Sequence, residues 1–134
     1  MPGCTSAQAV AEKLARDFLE RVWGPGHDLG AIDELMTPGY LIHAGGKTLR
    51  GREAFKDWVA EFHRLMPEAV DEILDVFANS AGDRVCARWI NRGRNNGVFG
   101  LRPNGRPIEF HGISVWSVGD GRLTECWIER GSPV

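Results

Sequence analysis

A histidine and a glutamate on either side of one short turn are the residues of this chain best placed to move a proton. His111 and Glu125 flank Gly119-Asp120-Gly121, in segments whose alternation and turn residues predict two antiparallel strands. If the turn is a three-residue loop bulged at Gly121, Val115 opposes Glu125 and His111 opposes Glu129. His111, Ile113, Val115, Glu125, Trp127 and Glu129 then share one face. A two-residue turn at Asp120-Gly121 would slip the register by one and separate His111 from Glu125. A carboxyl group facing an apolar interior has its charged form disfavoured, so its pKa climbs towards neutrality and it can both take and return a proton. A neighbouring imidazole can hydrogen-bond an oxygen on which charge develops. The bland alternative for Glu125 is an exposed residue paired with Arg122 or Arg130; for His111 it is a satisfied, partly buried histidine.

Other side chains could line the same interior. His43 ends a short strand, Tyr40 to His43, and either reaches a cavity or bonds a turn carbonyl. Tyr40, the only tyrosine, either aims its hydroxyl inward or simply packs. Trp58, Phe62, Trp89, Trp116 and Trp127 are core by spacing, and as a group suit a flat, conjugated ligand. Arg88 falls on the opposite face of its strand from Trp89 and reads as surface. The run Gly93-Arg94-Asn95-Asn96-Gly97 lacks a following Lys-Ser/Thr and precedes a strand, which excludes a phosphate loop. It reads as a mobile connection. His27 and His63 read as solvent-exposed. No histidines, cysteines or carboxylates show metal-ligand spacing, so no metal is expected.

The elements that must position these groups are legible. Ser6 reads as the N-cap of a helix in which Val10, Leu14, Phe18 and Val22 recur at helical spacing, broken by Gly24-Pro25-Gly26. Asp28 is expected to cap a short helix carrying Ile32, Leu35 and Met36, closed by Thr37-Pro38-Gly39. A third helix runs from Arg52 to Met66, with Phe55, Trp58, Val59 and Phe62 on one face, and Pro67 ends it. After Pro67 the period changes to two: Val70 to Phe77, Arg84 to Arg92, Ile108 to Val118 and Arg122 to Arg130 read as strands joined by turns. Three amphipathic helices ahead of a run of strands imply an α+β domain with a mainly antiparallel sheet. A strongly twisted sheet curls, and helices laid on its concave face leave a cone. Such a cone is apolar with a few polar groups at its floor.

A chain of 134 residues is one domain, residues 1–134. Its net charge of −2 and scattered arginines give no reason to expect nucleic acid or a membrane as partner. No stretch nears the roughly 18 apolar residues of a membrane helix. Met1-Pro2-Gly3-Cys4 does not begin a secretory leader. Three cysteines, Cys4, Cys86 and Cys126, are an odd number without metal spacing. A reduced, cytoplasmic setting is the expectation.

Read together, several stretches resemble the SnoaL-like branch of the NTF2-like superfamily. They are Val22-Trp23-Gly24, Asp28 to Leu35, Thr37 to His43, Gly51 to Phe55 and Gly82 to Trp89, then Gly100 to Ile113 and Asp120 to Trp127. The resemblance runs from about Ala9 to Glu129. It implies a cone-shaped α+β barrel, three N-terminal helices on a strongly curved sheet, homodimeric, with a buried cavity for a hydrophobic small molecule. It further implies a cofactor-free enzyme that closes a polyketide ring by intramolecular aldol condensation, with a histidine and a carboxylate at positions resembling His111 and Glu125. The remaining residues read as candidate substrate contacts, from their own spacing and face, are His43 (where the family often has a histidine), Tyr40, Trp58, Phe62, Trp89, Trp127 and Glu129. Ketosteroid-isomerase-like isomerases, dehydratases and epoxide hydrolases share the fold, as do non-catalytic binding and dimerisation modules. This chain departs from the pattern at Cys126, where the family often has His or Glu, and at Gly131, where it often has an aspartate. The aspartate-arginine-aspartate set of the epoxide hydrolases is not evident. Two convergent titratable groups in the cone favour an enzyme; a purely apolar cone favours a binder.

Overall fold

The computed structural model describes residues 6–134; the readings that involve Cys4 and the first residues fall outside the described residues. Helix α1, Ala7–Val22, begins where Ser6 Oγ accepts the Ala9 amide at 3.1 Å. It buries Leu14, Phe18, Leu19 and Val22. It ends at Val22, and the chain turns away through Gly24, where only glycine fits because a Cβ would meet the Glu20 carbonyl oxygen at 2.0 Å. Helix α2, Gly30–Leu35, is not capped by a side chain. The Asp28 carboxylate bonds Arg21 at 2.9 Å, and only its backbone carbonyl meets the helix.

Strand β1, Met36–Ala44, absorbs Thr37-Pro38-Gly39 rather than being preceded by them as a helix terminator. Proline cannot donate to a ladder, and the pairing of β1 with the last strand skips from Met36 to Leu41. Gly45 and Gly46, both at positive φ, turn the chain into β2, Lys47–Arg50, a strand that periodicity did not reveal. Helix α3, Arg52–Leu65, therefore follows two strands, and the helices are not all N-terminal. The rest is β3, Val70–Ala78; β4, Arg84–Arg94; β5, Pro107–Gly119; and β6, Arg122–Arg130. The six strands form one open sheet in the order β2-β1-β6-β5-β4-β3, antiparallel except where β1 lies parallel to β6.

One face of the sheet meets the helices: α1 packs on β3 and β4, and α3 packs on β1 and β2. Tyr40, Ile42, Trp89, Phe110, Trp116 and Cys126 point to that side and are buried. The other face leaves Leu74, Phe77, Ile113 and Trp127 exposed. The β5–β6 hairpin decides which residues go where. Its turn has two residues, Asp120 and Gly121, both left-handed at φ 52 and 71, as a tight right-twisting hairpin requires. Gly119 faces Arg122 across it. A shift between Ser117 and Val118 then leaves Thr124 as an extra residue, after which Ser117 faces Glu125 and Ile113 faces Glu129. Of the two turns the sequence allowed, the two-residue one is present, yet the extra residue restores the parity it would have shifted. His111, Glu125, Trp127 and Glu129 do share a face.

Candidate active site

The shared face is the outer one. Between helices and sheet lies a cavity of about 640 Å³, and Glu125, His111, His43, Trp127 and Glu129 are all on the other side of the sheet from it. Neighbouring residues of β6 alternate, so the same strand sends Cys126 and Ile128 into the cavity and Glu125 and Trp127 out. Glu125 accepts His43 Nε2 at 2.6 Å, and His43 Nδ1 lies 2.8 Å from Thr48 Oγ1. His43 stacks on Trp127 at 5.6 Å between ring centres. The expected pairing of His111 with Glu125 around a substrate is not formed. His111 is exposed beside Gly131, whose amide bonds its carbonyl. Tyr40, Trp58, Phe62 and Trp89 do line the cavity, as does Trp116. Arg88 is on the surface, bonded to Asp75 at 2.7 Å.

Most of the lining is aromatic and aliphatic, with two polar clusters set into it. The first was missed in the sequence. Asp71, the second residue of β3, faces Asn91 of β4, and both line the cavity. Asn91 Nδ2 donates to Asp71 Oδ1 at 2.6 Å. The Asn91 side-chain oxygen is buried and finds no partner among the described residues, which leaves an acceptor for a ligand hydroxyl. Asp71 keeps a little accessible surface, but among the described residues no cation balances it. Burial pushes its carboxyl from an ordinary 3.8 up to about 7, against the opposing bond from Asn91. The sequence signal was faint. Val70 to Phe77 alternates, but β3 carries an irregularity between Ile73 and Asp75, so neither parity of the run is apolar throughout. Trp89 fixes the inward face of β4, and Asn91, two residues on, shares it. That spacing was the available clue.

The second cluster joins Tyr40, Cys126 and Ser114. Trp116 Nε1 donates to the Tyr40 hydroxyl at 3.2 Å, and Trp89 Nε1 to Ser114 Oγ at 3.0 Å. Cys126 lies within bonding reach of both hydroxyls, and burial pushes its thiol well up. Tyr40 is also raised, by burial first and by Cys126 next. All three stay protonated at neutral pH, so this wall offers neutral donors.

Near α1 and α3, His27 and His63 are not the free surface residues expected. Their rings stack 3.7 Å apart; His27 Nε2 meets the Ala69 carbonyl at 2.7 Å and His63 Nε2 the Val22 carbonyl at 3.1 Å. The connection after β4 is also tied down. Buried Asn95 donates to the Arg102 carbonyl and accepts the Gly97 amide, and the segment carries Phe99 into the cavity wall. Among the described residues no group of three His, Cys, Asp or Glu could hold a metal ion, and no helix is long and apolar enough to cross a membrane.

The fold is shared widely. A protein of Jannaschia sp. CCS1 assigned as a SnoaL-like polyketide cyclase superposes with a TM-score of 0.84 at 17% identity, over 97% of this chain and 91% of that one. TsrD from Streptomyces laurentii gives 0.78 at 22% identity, over 91% and 88%. A protein of Acidithiobacillus ferrooxidans assigned as a polyketide cyclase gives 0.77 at 24%, over 94% and 91%. At such identities these likenesses show the fold alone. No curated protein matches the chain. The family model for the SnoaL-like polyketide cyclases matches residues 13–130, nearly everything from α1 to the end of β6, and the chain belongs to that family.

Proposed function

We propose that the protein is a cofactor-free acid/base enzyme acting on a hydrophobic small molecule in this cavity, by chemistry of the polyketide-cyclase type, with Asp71 as the group that moves the proton. The observation that carries the reading is a buried carboxyl that lines the cavity beside Asn91, has no cationic partner among the described residues, and is pushed by burial up to about 7. A purely binding cavity has no use for such a group, which costs stability where it ionises.

In an intramolecular aldol closure the Asp71 carboxylate takes a proton from a carbon flanked by carbonyls. The resulting enolate carbon attacks a second carbonyl of the same molecule, forming the ring C–C bond. The alkoxide so produced takes the proton back from the Asp71 carboxylic acid. Asn91 holds one carboxyl oxygen and so orients the other. Neutral donors such as the Tyr40 and Ser114 hydroxyls suit the developing oxyanion, because they stabilise it without surrendering the proton first. Isomerisation or dehydration next to a carbonyl uses the same first step and the same groups. Epoxide hydrolysis would want a second acid and an arginine inside the cavity; the other acid at the cavity, Glu61, is exposed, and the Arg64 that it bonds does not line the cavity.

Asp71→Asn keeps the shape and the oxygen that Asn91 bonds, and should lower turnover of a β-dicarbonyl polyketide mimic by at least about 10²-fold at unchanged affinity. An unchanged rate would sink the assignment. With Asp71 intact, kcat/KM should rise with pH through about 7 as the base form appears.

The homodimer is also a proposal. A row crosses the outer face from Phe77 through Cys86, Val115 and Trp127 to His43, with Phe77 and Trp127 exposed. A second copy laid on this row would cover it.

A further inference from the structure

The rim of the cavity carries positive charge that the chain does not neutralise. Lys47 and Arg130 both line the opening and are exposed. They come to one end of it: Lys47 faces Ala44 across the β1–β2 hairpin, Ala44 neighbours Ile128 of β6, and Arg130 lies two residues further along the same face. Other arginines are either spent on carboxylates, as Arg21 is on Asp28 and Glu34, Arg88 on Asp75, and Arg92 on Glu72 and Glu109, or, like Arg16, Arg50, Arg84 and Arg122, stand away from the cavity. Among the described residues no carboxylate pairs with Lys47 or Arg130. The one acid of the rim, Glu61, is held by Arg64, and Asp71 lies on the inner wall.

Arg130 is nevertheless held in place. Its guanidinium lies over the Phe99 ring, 3.9 Å from the centroid. An aromatic face supports a cation without cancelling it, and leaves the edge of the guanidinium free to bond. Phe99 itself has φ 58, a left-handed backbone unusual for a side chain of that size. Edge contacts to Phe62 at 5.8 Å and Phe110 at 5.0 Å keep it there. Strain of this kind persists where the surroundings over-determine it and collects at ligand clamps.

We infer that the ligand of this cavity is a flat apolar molecule bearing a carboxylate, which Lys47 and Arg130 hold at the mouth while the apolar body lies against Phe62 and Phe99. This rests on the reading of the cavity as the reaction chamber and adds the substrate class. A charge fixed at the rim decides which end of the molecule enters first, and so which carbon comes to Asp71.

The test is calorimetric binding of 2-naphthoate and of its neutral isostere 2-naphthamide to the full chain. Charge-assisted bonding at a partly open rim should make naphthoate bind about tenfold more tightly. The double variant Lys47→Met, Arg130→Met, altering exposed residues only, should erase that preference while changing naphthamide affinity less than about threefold. Equal binding of the two ligands by the unaltered protein overturns the inference, as does a variant that loses both alike. The Asp71→Asn turnover assay is a separate arm. If that variant turns over normally while naphthoate preference persists, the acid/base assignment falls and the anionic ligand class stands. If neither ligand binds the unaltered protein, both readings fall.

Discussion

Replacing Asp71 by asparagine should stabilise the protein, and only above a definable pH. The carboxyl titrates at 3.8 in an open chain and at about 7 in the folded one. Below 3.8 it carries its proton in both states, and its ionisation costs folding nothing. From there upward the unfolded chain releases the proton while the folded one retains it, so stability declines by about 1.4 kcal/mol per pH unit. Above about pH 7 the folded form ionises too, and the accumulated loss levels off at roughly 4 kcal/mol. Asparagine does not titrate, and it preserves the oxygen that accepts Asn91 Nδ2 at 2.6 Å. Urea unfolding of both proteins at pH 4 and pH 8 isolates the effect, because every other group titrates alike in the two. The variant should match the parent at pH 4 and exceed it at pH 8 by about 3–4 kcal/mol, a midpoint shift of about 2 M at the slope usual for small domains. A stability difference that is the same at both pH values would refute a raised Asp71, and with it the basis for the proposed chemistry.

Burial, and then His27, hold His63 down from 6.5 to about 4, so it is neutral in the fold and its stabilisation, complete above 6.5, is lost as pH falls towards 4. His63→Gln should flatten that limb of the stability curve by roughly 1–2 kcal/mol, after allowance for partial exposure, as read by thermal melts between pH 4 and 7. Gly112 lies under Trp89, and a Cβ there would sit 2.6 Å from the indole ring. Gly112→Ala should cost about 1–3 kcal/mol by overpacking, measurable in urea. Phe77, 55% exposed on the outer face, should tolerate Phe77→Lys without loss of stability, while light scattering shows a monomer in place of a dimer. A dimer unaffected by this change would place the contact elsewhere.

Helix spacing was enough to delimit α1 and α3 almost to the residue, since each has a run of apolar side chains at one period and a glycine or proline at its end, and β6 is delimited by the Asp120-Gly121 turn before it and Gly131 after it. What they could not supply was the face. On β6 the inward set is Leu123, Cys126 and Ile128, and the outward set is Glu125, Trp127 and Glu129. The extra residue at Thr124 changes the parity between Leu123 and Cys126, so no strict alternation runs the length of the strand. Trp127 is large and aromatic, and a reader of the sequence turns it inward, taking Glu125 and His111 with it. In the fold the hydrophobic weight of β5, from Phe110 through Ser114 to Trp116, faces the helices, and β6 must follow its partner. β2 was invisible because Lys47 to Arg50 holds only one apolar residue. The parallel pairing of β1 with β6 leaves no local mark, since it joins residues 84 apart in the chain, such as Ile42 and Cys126.

The same physics explains why Asp71 escaped notice and why it matters. A sequence advertises residues that stabilise a fold, because they recur with its period; a group that opposes folding has no such period and looks like one more polar residue on a strand. In the second cluster Tyr40 accepts from Trp116, Ser114 accepts from Trp89, and Cys126 lies within reach of both hydroxyls, so the fold accounts for these groups without a ligand. Asp71 and Asn91 are different. One carries a proton it would lose in water, and the other has a side-chain oxygen without a partner. An apolar pair at the two positions would close this wall at no electrostatic cost. That the wall is polar here, next to open space and unpaired with any cation among the described residues, points to what enters the space.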